Sequence, residues 1–342
     1  MDKIKEILLE GVKEKAFPGG QYCVVTKDEI KCGYVGYKSY EPLVKNNGEE
    51  IYDVASLTKV ISTTTLIMNL IEQGKLSLDA KISDILPRFK HRDVVIYDLL
   101  IHSSGLPADI PKAATLKNRE EVINKVYEFD LIYEKGEKVV YSDIGYILLG
   151  LIVEKLYGMP INEAAEKVIF SKLNMKDSSY RPDVLRAAPT EKREDDVYNG
   201  YLVGRVHDEK SFAMGGLAGH AGLFSTAKDI AKFIQSILKQ EFVLKDETVK
   251  EMFKSRILKE GRYGLTNRSL GWDKPVDDID KVIMHTGFTG CNMWIDLNIN
   301  KGFVLLTNGV HPKRANNNVF PYRNRIREYL TQMEAKQYEK SV

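Results

Sequence analysis

The chain has 342 residues, 43% of them hydrophobic, enough to bury one large core or two smaller ones. Its 50 basic and 48 acidic side chains leave a formal charge of +2, too small a field to draw nucleic acid or an anionic membrane surface as the main partner. No run approaches the roughly 20 apolar residues that span a bilayer, so a membrane partner is not expected either.

The first segment, MDKIKEILLEGVKEKAF, alternates apolar and charged residues at helical spacing and lacks the apolar core of a secretory signal, so the expected location is the cytoplasm. QYCVVTK and EIKCGYVGY are β-rich runs around a polar turn, a hairpin that sets Cys23 opposite Cys32. With Cys291 there are three cysteines, an odd number without metal-ligand spacing, and they read as reduced thiols packed as small side chains. Residues 58–72 carry Val60, Ile61, Leu66, Ile67, Leu70 and Ile71 at helical spacing, closed by Gly74. Residues 78–199 look mostly helical, with helices expected over 97–101, 119–128, 144–156 and 161–171. Strands return in VIMH, NMWIDL and GFVLLTN, followed by a helix over 321–336. The expected organisation is a discontinuous α/β domain of residues 1–80 and 215–342, a mostly helical domain of 81–214 between them, and a site at their junction. The polar stretch EKREDDVYNGYLVGRVHDEK reads as a surface excursion of the kind that borders a site.

Ser-x-x-Lys occurs three times, at Ser56/Lys59, Ser225/Lys228 and Ser236/Lys239. Ser236 and Lys239 share a face of a helix and are expected to meet water, whereas Ser225-Thr226 stands where a helix cap belongs. Ser56 differs because it follows the strand-like YDVA and opens a long apolar helix. A helix start gives its hydroxyl positive potential, and a lysine in apolar surroundings can lose its proton, which serine activation requires. Taken alone, capping remains as good an account as catalysis. Tyr141-Ser142-Asp143 places a phenol and a carboxylate at the start of a second helix. A phenol beside Lys59 could relay a proton from Ser56; elsewhere it is core. His285-Thr286-Gly287 ends a strand that could run beside a substrate and supply a backbone N–H to an oxyanion, although a plain turn is the better account of the tripeptide taken alone. His207, Asp208 and His220 match no standard ligand spacing, so no metal is expected. His220 between glycines reads as lining a cleft or binding loop backbone, His102 as fixing a helix-to-loop turn, and His91 and His311 as exposed.

Together, S56-L-T-K59, Y141-S-D143 and H285-T-G287, in that order, resemble the penicillin-binding protein and class C β-lactamase family. The resemblance extends to YDVASLTKVISTTTLIMNLIEQGKLSLDAKISDILP, DLLIHSSGLP and GGLAGHAGLFSTAKDIAKF, about residues 15–335, and VHDEKSFAMGGLAGHAGLFST is similar to a narrower subgroup of penicillin-binding protein 4B-like proteins and muropeptide amidases. It implies the β-lactamase/transpeptidase-like α/β (α+β) fold: an antiparallel sheet flanked by helices, with an inserted helical domain. It also implies a serine hydrolase that forms an acyl-enzyme without metal or cofactor, on a small-molecule or short-peptide substrate derived from the cell wall. On this resemblance Ser56 is the nucleophile, Lys59 and Tyr141 share the proton, and His285 completes the catalytic set. The N–H groups of Ser56 and Phe288 form the oxyanion hole, and Asp143, Thr286 and Gly287 bind substrate.

Two departures shape the expectation. His285 stands where many members have lysine and offers one N–H in place of a fixed cation, so a substrate carboxylate is not demanded. Asp143 stands where asparagine is common and, ionised, favours an amine or hydroxyl partner. A promiscuous carboxylesterase and a non-turnover protein that binds β-lactams or peptides are the alternatives left open at this stage.

Overall fold

The computed structural model describes residues 1–341, and the side chains of residues 1–332. Its strands, in chain order, are β1 (Gly19–Thr26), β2 (Ile30–Tyr40), β3 (Leu43–Lys45), β4 (Tyr52–Asp53), β5 (Lys192–Glu194), β6 (Asn199–Tyr201), β7 (Phe224–Ser225), β8 (Ile257–Gly261), β9 (Gly264–Arg268), β10 (Asp273–Lys274), β11 (Val282–Gly287), β12 (Cys291–Asp296) and β13 (Lys301–Thr307). Nine of them form one sheet in the order β3-β2-β1-β13-β12-β11-β10-β9-β8. Each pairing is antiparallel. The two ends of the chain therefore meet at β1 and β13, in the register Cys23↔Val304.

Period-two alternation sorts the central strands onto two apolar layers. Cys23, Val25, Met293, Ile295, Val304 and Leu306 face one layer, which includes the helix Ala227–Leu238. Tyr22, Trp294, Phe303 and Leu305 face the other, where the terminal helices Asp2–Lys13 and Phe320–Ser341 lie together, joined by the edge contact of Phe17 on Tyr322 and the Glu10–Arg325 pair. The first layer continues without a break into the helices around Leu66, Ile147 and Ile152, so sheet and helical part share one core. No single helix of the described residues is long and apolar enough to cross a membrane.

The hairpin sets Cys23 opposite Cys32, as the sequence implies, but the two sulfurs are bonded. The expectation of reduced thiols is corrected for this pair; the cross-strand register brings the two side chains face to face, and only Cys291 is free. His311 is also corrected. It is buried, its Nε2 accepting from the Tyr40 N–H at 3.2 Å and its Nδ1 lying 2.9 Å from the Thr190 carbonyl.

Candidate active site

Ser56 is delivered by a short and constrained piece of backbone. After β4, Ala55 adopts φ +47°, a left-handed conformation that side chains other than glycine rarely take. Asp53 holds it there: one carboxylate oxygen accepts the Ala55 N–H at 2.8 Å and the other the His207 N–H at 2.7 Å. The chain then enters a helical run whose first stretch, Lys59–Thr64, has the wide π spacing and whose second, Thr65–Glu72, is α-helical. The Ser56 hydroxyl does not cap this helix. It accepts from Lys59 Nζ at 2.9 Å.

The other two Ser-x-x-Lys pairs have structural roles. Thr226 caps the helix Ala227–Leu238 by accepting the Asp229 N–H at 3.2 Å, with Ser225 bonded to Ser178. Ser236, expected at the surface, is buried and donates to the Phe233 carbonyl at 2.8 Å.

Lys59 is fully buried and still charged. Burial alone would push an ammonium toward neutrality, but the Asp143 carboxylate, Oδ1 2.8 Å away, and the Tyr141 hydroxyl outweigh it and hold Lys59 above the ordinary lysine range. The expectation that Lys59 is neutralised by apolar surroundings is thus corrected: its immediate partners are a carboxylate, a phenol, the Ser56 hydroxyl and the His220 carbonyl, the last at 3.1 Å.

Tyr141 comes to Lys59 because Ser142 starts the helix Asp143–Tyr157, its hydroxyl accepting the Gly145 N–H and donating to the Pro107 carbonyl. The Tyr141 ring centre lies 4.8 Å from Lys59 Nζ, 4.6 Å from the His102 ring and 6.0 Å from the His285 ring. His102, itself at φ +57°, accepts the Ser142 N–H on Nδ1, the turn-fixing role its sequence suggests. Burial, reinforced by Arg268 and Lys59, pushes both histidines well below the usual range, so both are neutral at pH 7. The single N–H expected of His285 is not offered outward. A neutral ring 2.9 Å from the Thr286 carbonyl at Nδ1 carries its proton there and leaves Nε2 bare and without a partner.

Asp143 does find amine partners, but inside the chain: Oδ1 on Lys59 and Oδ2 3.2 Å from Lys210 Nζ. Thr286 is exposed on β11, whereas Gly287 is pressed so close to the Val54 carbonyl that an added Cβ would lie 2.5 Å from it. Phe288 follows, exposed and stacked on His207, its carbonyl accepting from Asn317 at 2.7 Å. Among the described residues no hydrogen bond uses the N–H of Ser56 or Phe288. Both residues line a cleft of about 220 Å³ together with Tyr141, Asp143 and His207. Lys59 and His285 lie behind that wall.

The sequence reads His220 as lining a cleft or binding loop backbone, but does not show the charged group it joins on the far side. Lys210 contacts Asp109, Asp143 and Asp208; His220 Nε2 lies 2.6 Å from Asp208; His207 Nε2 lies 2.9 Å from Glu191, which also holds Arg314. Glu191, His207, Asp208 and Lys210 sit in the polar stretch read as a surface excursion and His220 follows it, yet His207, Lys210 and His220 are buried. The usable signal was the adjacency of HDEK to GGLAGHAG, charges beside a loop too small-featured to cover them. Asp143, Asp208 and His220 converge as a metal-ligand set would, but the Lys210 ammonium already stands against both carboxylates.

A serine, lysine and tyrosine gathered at a helix start beside a large antiparallel sheet define the β-lactamase/transpeptidase-like fold. The chain belongs to the beta-lactamase family, whose profile matches residues 4–324, and is a hydrolase of the β-lactamase and penicillin-binding type. It is 33% identical over 343 residues to the N-acetylmuramyl-L-alanine amidase of Bacillus subtilis (strain 168), covering 86% of this chain and 78% of the relative. It is 31% identical over 319 residues to a protein of Escherichia coli (strain K12) provisionally named D-alanyl-D-alanine carboxypeptidase, covering 81% and 73%. A class C β-lactamase structure superposes with a TM-score of 0.73 at 19% identity, over 90% of this chain and 90% of that one, a likeness of fold.

Proposed function

We propose that the chain is a serine amidase that cleaves an amide in a peptidoglycan-derived glycopeptide through an acyl-enzyme on Ser56. The observation that carries this reading is the Ser56 hydroxyl 2.9 Å from the ammonium of a buried lysine that also touches a phenol. A charged Lys59 cannot take the serine proton, so in this mechanism Tyr141 acts as a phenolate paired with the Lys59 ammonium: as Ser56 Oγ attacks the carbonyl, the phenolate takes the serine proton and becomes the neutral phenol. The N–H groups of Ser56 and Phe288 receive the oxyanion, Tyr141 returns the proton to the departing amine, and water then releases the acyl group by the same relay in reverse.

Charge in the cleft favours an amidase over a carboxypeptidase. A terminal carboxylate calls for a free cation, whereas Lys59, Lys210 and Arg314 are each committed to carboxylates and His285 is neutral. A bond flanked by uncharged sugar and amide groups suits such a site, which agrees with the name of the Bacillus subtilis relative.

The test is a substrate panel of an N-acetylmuramyl-L-alanine amide, a D-alanyl-D-alanine peptide and short-chain esters, with wild type, Ser56→Ala and Tyr141→Phe. The expected result is preferred cleavage of the muramyl amide, abolished in Ser56→Ala and slowed roughly 10²- to 10⁴-fold in Tyr141→Phe. Turnover retained by Ser56→Ala would overturn the mechanism. Preference for the peptide would assign a carboxypeptidase, turnover of esters alone an esterase, and a trapped adduct without release a binding role.

A further inference from the structure

Lys210 is 2% exposed, although it belongs to a run, HDEK, that reads as surface. Its ammonium lies 2.7 Å from Asp109, 2.9 Å from Asp208 Oδ2 and 3.2 Å from Asp143 Oδ2. The second oxygen of Asp208 meets His220 Nε2 at 2.6 Å, and the His220 carbonyl accepts from Lys59 at 3.1 Å. The second oxygen of Asp143 meets Lys59 at 2.8 Å. These contacts form a closed ring: Lys59, Asp143, Lys210, Asp208, His220 and back to Lys59.

We propose that Lys210 is a positioning residue for Lys59, and that it is the group that allows an aspartate to stand at position 143. The proposal rests on the reading of Ser56 as the nucleophile. A lone buried carboxylate beside Lys59 would form a closed ion pair and draw the ammonium away from Ser56. Lys210 occupies one oxygen of Asp143 and leaves only the other for Lys59, so Asp143 orients the Lys59 ammonium without capturing it. Asp208, fixed by His220 and by the Ser211 N–H at 2.8 Å, anchors Lys210 from the other side. Without Lys210, Asp143 and Asp208 would converge on Lys59 as the one remaining ammonium. An asparagine at 143 needs no second cation, because it brings no charge. Asp143 and Lys210 are therefore a matched pair, and removing both should be milder than removing the lysine alone.

The experiment compares wild type, Lys210→Met, Asp143→Asn and the double variant by two readouts: saturable acylation by a fluorophosphonate, followed by intact mass, and the thermal unfolding midpoint. Lys210→Met is expected to acylate on the order of 10²-fold more slowly with probe affinity unchanged, and the double variant to recover about 10-fold or more of that loss and to unfold at a higher temperature than Lys210→Met. A double variant that is neither faster nor more stable than Lys210→Met overturns the proposal and reduces Lys210 to a structural cation. A wild type that takes no adduct overturns the nucleophile reading and this proposal with it, whereas a normal wild type with an unrescued double variant overturns this proposal alone.

Discussion

Asp53 uses both carboxylate oxygens on backbone N–H groups, and this makes the left-handed turn at Ala55 tenable. In Asp53→Asn one of those oxygens becomes an NH₂ facing a buried N–H. The expected cost is about 1–3 kcal/mol of stability, together with slower acylation because the turn that presents Ser56 loosens. Urea unfolding and fluorophosphonate labelling would read the two effects; unchanged labelling would show that the turn holds without the clamp. The convergence of Ser56, Lys59 and Tyr141 was legible because their motifs are local. The charge of Lys59 was not, since a helical pattern records its neighbours along the chain and Asp143 arrives from another helix. Nor could the sequence show that the His285 N–H is taken up by its own neighbour's carbonyl, because the way the ring turns is set by the side chains packed on it and not by the local pattern.

At the scale of elements, the helix Asp143–Tyr157 and the loop before β7 touch backbone to backbone at Gly150 and Gly219. A Cβ on Gly150 would lie 2.7 Å from the Gly219 nitrogen. Gly219 has its carbonyl held by Thr63 at 2.6 Å, and the next carbonyl, that of His220, holds Lys59. Gly150→Ala is therefore expected to cost about 1–3 kcal/mol by overpacking, and to slow acylation up to about 10²-fold by shifting a lysine contact the substitution never touches. Loss of stability with full acylation would uncouple the helix from the site. The helix itself was readable from its apolar run, and β11 to β13 from the β-rich runs VIMH, NMWIDL and GFVLLTN. The β8–β9 hairpin was not, because ILKEG and GLTNR lie half in solvent and carry little alternation. The π spacing of Lys59–Thr64 likewise leaves no periodic trace distinct from an α-helix.

Over the whole molecule, a formal charge of +2 hides an interior that resists protonation. Burial holds His102, His285 and His311 below the usual histidine range, so on acidification the unfolded chain takes up protons near pH 6.5 that the folded chain refuses. Stability must then fall as pH drops below about 6.5, by up to ~1.4 kcal/mol per pH unit for each such histidine until its folded form titrates. A second decline follows among the carboxylates. Asp143 and Asp208, where lysine and histidine partners outweigh burial, are held below the usual range, and Glu191, bound by His207 and Arg314, is lowered to about 2. Each keeps its contribution above the unfolded value near 4 and loses it as pH falls through its own. Asp53 and Asp98, raised by burial, oppose this decline just above pH 4. Urea midpoints at pH 7.5, 6.0 and 5.0 should therefore descend steadily, and His285→Asn, which removes one of the three histidine contributions, should descend less steeply over the same interval. Parallel slopes for the two proteins would mean that His285 takes a proton as easily folded as unfolded, and that burial does not hold its ring neutral.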